Sequence, residues 1–443
     1  MSALSLSNIW NELKNSKGGI TGLSILAILL IASLIAFVSI PLDTFKEWRN
    51  QSYWLEYPRA AMPSWVNIFT SNKLPEHIIL KGEREESIDE NIKVVTYTYK
   101  FDYIFDKEPN DFMLRYDAIY NSSSLLHFSI TRPDGMEIEL ARITLPPAKE
   151  RVTGILFSTD DVIRKSISKY GSNEPLDVIF RDKDGDILKG VYEAKMSIFF
   201  FNMNDEIIDS KFIVGGKVYG LFGTDELRRD LAISIIWGAP VALFIGVSVA
   251  ILAVVIGLIY GVIAGYSSRS IDEVMMRAND IVYALPALPL LILLAVFIGK
   301  SIFLMIGYLV IFSWVGVAKV ARSMSLQIRN MPYIEAAELI GESKIRIIFK
   351  HIIPQLLPYT FASIAISVPG AIITEAGLSF LGLGDPTLPT WGQILHDANT
   401  YGASARGLWW WIIPPGLMIT LTGLAFVLIG DTLNTIVNPR LKR

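Results

Sequence analysis

From residue 237 to residue 266 this chain carries no Asp, Glu, Lys, Arg or His. A stretch so long and so apolar has to be hidden from water along its whole length, and a lipid bilayer hides it most simply. About 20 apolar residues cover the hydrocarbon core as a helix, which pairs each backbone N–H and C=O within its own segment. Runs at 19–40, 282–298 and 409–429 are likewise free of such residues, and those at 302–320 and 359–380 hold one each, Lys319 and Glu375. The pattern predicts six membrane-spanning helices. The first follows Lys14 and Lys17, closes at Pro41 and lacks a small-residue cleavage site, so it reads as a retained helix and not a removed signal.

Between the first two runs the polypeptide changes. Residues 42–222 are charged throughout and hold no stretch that could span a membrane. Runs at 92–101, 125–130, 136–140 and 191–200 alternate, wholly or in part, between polar residues and β-branched or aromatic ones, which is the period of a half-buried strand. Pro133-Asp134-Gly135 and Lys183-Asp184-Gly185-Asp186 supply turn chemistry between such runs. The expectation is a β-rich, sandwich-like domain with helical pieces near 160–167. Asp182, Asp184 and Asp186 lack the downstream Glu of a calcium loop and read as a turn.

The predicted organisation is a segment 1–17, a first span 18–41, the β-rich domain 42–222, a five-helix region 223–437 with a connecting loop 321–358, and a tail 438–443. The charged Asp225–Asp230 stretch reads as an amphipathic surface segment leading into the second span. Orientation follows from Lys and Arg in the short loops. With the N-terminus inside, thirteen fall on the inner side and only Lys300 and Arg406 on the outer, so both termini are expected in the cytoplasm and 42–222 outside. The expected location is the plasma membrane, multi-pass. The sequons at Asn50 and Asn121 then lie on the outer side.

The stretch from Tyr333 to Pro354 is a polar helix-turn-helix island between the fourth and fifth spans, and an idle connection needs far fewer residues. Glu335-Ala336-Ala337, three residues, Gly341, and then a hydrophobic-basic helix ending near Pro354 resembles the coupling loop of binding-protein-dependent ABC importer permeases. Thr374-Glu375-Ala376-Gly377-Leu378-Ser379, Gly382 and Gly384, then Pro389-Thr390-Trp391-Gly392, together with Gly223-Thr224-Asp225-Glu226 and Asn438-Pro439-Arg440, are similar to the C-type permease subunit of the peptide and nickel branch. The resemblance covers the first helix and nearly all of 223–443, but not the β-rich domain.

It implies a MetI-like permease fold, with Glu335, Ala336, Ala337, Gly341, Arg346 and Pro354 coupling the channel to an ATPase. The implied partners are a second permease subunit, two cytoplasmic ATPase subunits that bind ATP-Mg, and an external solute-binding protein. The implied substrates are peptides or related small solutes, with oligosaccharides and nickel chelates as alternatives within the family that the sequence does not decide between. Two departures stand out: Arg228 where the family usually has Gly, and Pro240 in place of a common basic residue.

Ala336 and Ala337 would keep one helix face thin for a partner's groove, and Gly341 would permit a chain reversal. An amphipathic interfacial helix would suit the same residues. Glu375 lies in or near an apolar span, either as a functional group of the translocation path or as a helix-to-helix tether. Pro286 and Pro289 should kink the third span, with or without a role in lining the path. Asn279 and Asp280 read as caps of that helix.

No Cys occurs, which removes disulfide and thiolate chemistry. No phosphate-loop motif, nucleophile elbow or paired catalytic carboxylates stand out, so the chain is expected to be neither an ATPase nor another enzyme, and to hold no cofactor or metal of its own. Nucleic acid is not an expected partner. A membrane receptor with an outer ligand-binding domain is the rival of a different class.

Overall fold

The computed structural model describes residues 10, 13–41, 44, 46–89 and 92–437. The tail 438–443, with Asn438-Pro439-Arg440, and most of segment 1–17 lie outside the described residues. The chain divides into two compact units, Asn50–Ala232 and the combination of Met1–Arg49 with Ile233–Arg443.

The first of these is a sandwich of two antiparallel sheets. Strands β1 (Ile78–Lys81), β2 (Glu83–Asp89), β3 (Ile92–Tyr103), β4 (Asp111–Tyr120), β5 (Ser124–Thr131), β6 (Glu137–Leu145), β7 (Ala148–Phe157), β8 (Gly190–Phe200) and β9 (Glu206–Gly215) pair in the orders β1-β9-β4-β7 and β2-β3-β8-β5-β6. Helices α1 (Lys17–Ser39), α2 (Asp161–Ser168) and α3 (Pro175–Phe180) precede β8, the last two inside the sandwich unit. Alternation drives burial: β3 turns Val95, Tyr97, Tyr99, Phe101 and Tyr103 inward, and β8 answers with Tyr192, Ala194, Met196, Ile198 and Phe200. Phe212 of β9 sits at the centre, its ring 5.8 to 6.1 Å from those of Tyr99, Phe101, Phe112 and Phe128.

Strand β4 is buried along almost its whole length, so it shows no alternation. Its second face is covered: Glu56, just past the 3-10 turn Gln51–Trp54, binds Arg115 of β4 at 2.5 Å and Lys211 of β9 at 3.0 Å.

The Asp225–Asp230 stretch departs from expectation. It is a tight buried turn, closed by Arg229 Nε donating to Asp225 Oδ2 at 2.6 Å, and Thr224 ties it to the sandwich by donating to the Pro58 carbonyl at 2.7 Å. Two opposite charges four residues apart satisfy one another inside the fold, which an exposed amphipathic helix would not require. Here Arg228 adopts φ +67°, a backbone geometry that favours glycine. Its guanidinium binds the Asp111 carboxylate and, at 2.7 Å, the Tyr57 carbonyl. The inserted sandwich supplies the partners that let an arginine hold a left-handed position.

Both ring nitrogens of His77 are sealed from solvent, and burial pushes its pKa down from 6.5 to about 4. The unfolded chain therefore takes up that proton first, and the folded state is disfavoured progressively as pH falls from 6.5 to about 4. The expected loss is on the order of 3 kcal/mol over that window. It should appear as a fall in Tm that His77→Phe largely removes.

The second unit is helical: α1, then α4 (Leu231–Tyr266, which begins at the sandwich boundary), α5 (Arg269–Ala284), α6 (Ala287–Phe297), α7 (Ile302–Arg329), α8 (Pro332–Leu339), α9 (Lys344–Ile347), α10 (Ile353–Phe380), α11 (Trp391–Thr400) and α12 (Trp409–Val437). Among the described residues, five helices are long and apolar enough to cross a membrane, or six if the bent pair α5 and α6 is one span. That pair replaces the single third helix expected over 282–298. Pro286 forces the preceding Leu285 into extended backbone, and the two helices meet at 79°. Asn279 and Asp280 accordingly do not cap a helix. They lie in the last turns of α5 and fasten it to α7, Asn279 through the Val315 carbonyl at 3.2 Å and Asp280 through Lys319 at 2.8 Å.

Helix α4 carries glycine at every fourth position from 257 to 265. A Cβ at Gly257, Gly261 or Gly265 would come within 2.6, 2.2 and 2.7 Å of the α7 carbonyls of Trp314, Ala318 and Arg322. Where lipid replaces water there is no hydrophobic drive to associate, and such a stripe of small residues lets two backbones touch. Pro240, the second departure, lies inside α4.

Candidate coupling site

The stripe on α4 and α7 runs to one end of the bundle, where Tyr266 and Arg329 finish the two helices. Arg329 donates to the Ser267 carbonyl at 3.0 Å and stacks over the Tyr266 ring. After one turn, α8 starts on Pro332, whose missing N–H is no loss in the first helical position. It ends by a paired closure: Gly341 N–H donates to the Glu338 carbonyl at 3.0 Å and Glu342 N–H to the Ala337 carbonyl at 3.1 Å. That closure needs a left-handed residue, and Gly341 provides φ +81° with open space around its Cα. Ser343 then caps α9, its hydroxyl accepting from the Arg346 N–H.

Next comes a π-helical turn, Ile348–Ile352, before α10. Pro354 lies in the first turn of α10 and has no N–H to give the carbonyl four residues back, so the ladder widens just ahead of it.

Burial divides this assembly sharply. Ile334, Ala337, Ile347, Ile348, Ile352 and Leu356 pack with Leu258, Val262 and Tyr266 of α4 and Ala321 of α7. Tyr266 adds a hydrogen bond to Glu338 at 2.6 Å. The opposite face is open: Leu339 is 88% exposed, Ile340 82% and Ile345 71%, with Tyr333, Glu335, Ala336 and Phe349 exposed beside them. Glu342 links the two halves of the elbow through His351 at 2.7 Å and Lys350 at 3.6 Å. The His351 ring beside it holds its carboxyl below the usual range.

Residues 253–443 match the family model of the binding-protein-dependent transport system inner membrane component. The chain is 39% identical over 223 residues to the dipeptide transport system permease protein DppC of Bacillus subtilis, covering 50% of this chain and 69% of that one. The chain belongs to this family. The permease is also 38% identical to the oligopeptide transport system permease protein OppC of Bacillus subtilis, over 50% of this chain and 72% of that protein. To OppC of Haemophilus influenzae it is 36% identical, over 50% and 71%. The model's match lies wholly within the helical unit and leaves the sandwich outside it.

Within the permease the sequence-predicted residues separate. Glu335 and Ala336 share the open face, but Ala337 is packed into the bundle, so the two alanines do not form one thin face for a partner. Arg346 is exposed and only loosely placed, 4.0 Å from Glu342. The loop foreseen over 321–358 is shorter, because α7 runs on to Arg329 and α10 begins at Ile353. Glu375 is buried in α10 and accepts from the Ser379 hydroxyl at 2.6 Å, with Thr390, the cap of α11, as a second partner. It ties α10 to α11. Sequence reasoning missed Tyr266, Glu338, Glu342 and His351; the glycines spaced four apart in the second span were the available signal for the helix pair that carries them.

Proposed function

We propose that this permease is the membrane-spanning subunit of an ATP-driven ABC importer for peptides, working with a second permease subunit, two ATPase subunits and an external solute-binding protein. The observation that carries the reading is the two-faced elbow at α8 and α9. Its inner face is locked to α4, α7 and α10, and its outer face offers Leu339, Ile340, Ile345 and Glu335 to a partner. A push on the outer face cannot be absorbed locally, so it is passed to three spanning helices at once. The broken α5–α6 pair, with Pro286 at the bend and Pro289 in the first turn of α6, is the candidate wall of the path. Peptides are preferred over oligosaccharides because the named relatives are peptide permeases.

In this reading the elbow and both termini face the cytoplasm, where ATP-Mg is bound by the partners, and the sandwich lies outside. The absence of Cys makes a direct test available. A single Ile340→Cys in the assembled transporter should crosslink to an ATPase subunit and resist a membrane-impermeant thiol reagent added to intact cells. Labelling from outside with no crosslink would overturn both the orientation and the coupling role.

A further inference from the structure

We propose that Trp65, Ile68, Phe69 and Leu221 form a membrane-contacting foot of the sandwich unit, a patch that seats in the interfacial layer of the lipid bilayer. Ile68 is 78% exposed, Phe69 80% and Leu221 59%, and the first two are more exposed than the other large apolar side chains described in this unit. The patch is built and not incidental. The 3-10 turn Ser64–Ile68 is held by Ser64 N–H donating to the Gly220 carbonyl at 2.9 Å. The Trp65 indole donates to the Leu221 carbonyl at 2.9 Å and meets the Phe69 ring edge-on at 6.2 Å.

Three features favour lipid as the occupant. No charged residue occurs from Ala60 to Asn72, and the exposed Lys73 that follows supplies a cation suited to a phosphate headgroup, while Arg59 on the other side is paired with Glu226. Trp and Phe are the side chains that prefer the water–hydrocarbon boundary. Finally, the Gly223 carbonyl accepts the N–H of Leu231, the first residue of α4, at 3.0 Å. Leu221 is two residues from Gly223, so it lies within about 10 Å of the start of that helix. With 36 residues, α4 is about 54 Å long, more than the hydrocarbon core of about 30 Å and the roughly 40–45 Å that includes the headgroups, so its ends reach at least the headgroup layers of a bilayer it crosses. The patch is therefore close along the chain to a helix long and apolar enough to cross a bilayer. The inference goes beyond the transport reading and needs only that α4 crosses a bilayer.

The test is spin-label accessibility on the full chain in phosphatidylcholine–phosphatidylglycerol vesicles, with single substitutions Ile68→Cys, Phe69→Cys and, as an aqueous reference on the exposed edge strand β2, Ile88→Cys. Labels at 68 and 69 should show an oxygen-to-nickel-chelate collision ratio about threefold or more above that at 88, as expected of interfacial depth. Equal ratios at the three sites would overturn the proposal, showing the patch to be in water. Loss of access to both reagents would also overturn it, in favour of a protein covering the patch. Both substitutions are at exposed positions, and agreement between the two guards against a local rearrangement at either one.

Discussion

Valine at Gly341 is expected to uncouple the transporter while leaving it inserted and folded. The position has φ +81° and nothing within 4 Å of an added Cβ, so the whole penalty is backbone strain. A left-handed conformation is disfavoured for ordinary residues by roughly 1–2 kcal/mol, and more for a β-branched one. Relief comes by opening the closure at the end of α8, which frees the Ala337 and Glu338 carbonyls and detaches Glu342 from its place between the two halves of the elbow. A helix that swivels no longer passes force. Substrate uptake and substrate-stimulated ATPase activity should fall about tenfold or more, corresponding to at least about 1.4 kcal/mol of lost coupling. Asn, which tolerates the left-handed region, should keep most of the activity. Undiminished uptake in the valine variant would remove the elbow from the mechanism.

The second large effect is expected in the sandwich. Phe212→Ala removes a ring that meets Tyr99 and Phe101 of β3, Phe112 of β4 and Phe128 of β5, and so helps join the two sheets. Truncations of buried phenylalanine destabilise by about 3–5 kcal/mol, a large share of what a domain possesses. For a unit of this size the Tm of the sandwich transition should drop by roughly 10 °C. Thermal unfolding read with limited proteolysis should show cleavage within 50–232 at temperatures where the spanning helices still resist. A Tm within about 2 °C of the parent, below what the loss of 1 kcal/mol produces, would mean that the aromatic cluster is not the keystone it is taken to be.

The relation between sequence and structure differs between the two units. The strands β3, β5 and β8 were legible because along much of each one face meets the core and the other does not, so buried side chains alternate with more exposed ones. Strands β4 and β9 were not foreseen. Glu56 and its neighbours cover what would have been the wet face of β4 and of the second half of β9, so burial erases the period there. In the helical unit, length and apolarity announced the spans, and the small residues with a glycine before a basic helix announced the elbow.

What the amino-acid sequence determined by itself was the set of elements that must escape water: apolar helices, a β-rich insertion and a polar elbow between the fourth and fifth spans. Desolvation and backbone geometry act over a few neighbouring residues, so one sequence can reveal them. Which side chain answers which was decided only by the tertiary structure. Ala337 turns into the bundle while Ala336 stays open, Arg228 keeps a strained backbone because Asp111 waits across the fold, and Glu375 holds Ser379 and Thr390. Asp111 lies 117 positions from Arg228, and no local period encodes a partner at that separation; packing alone brings such pairs together.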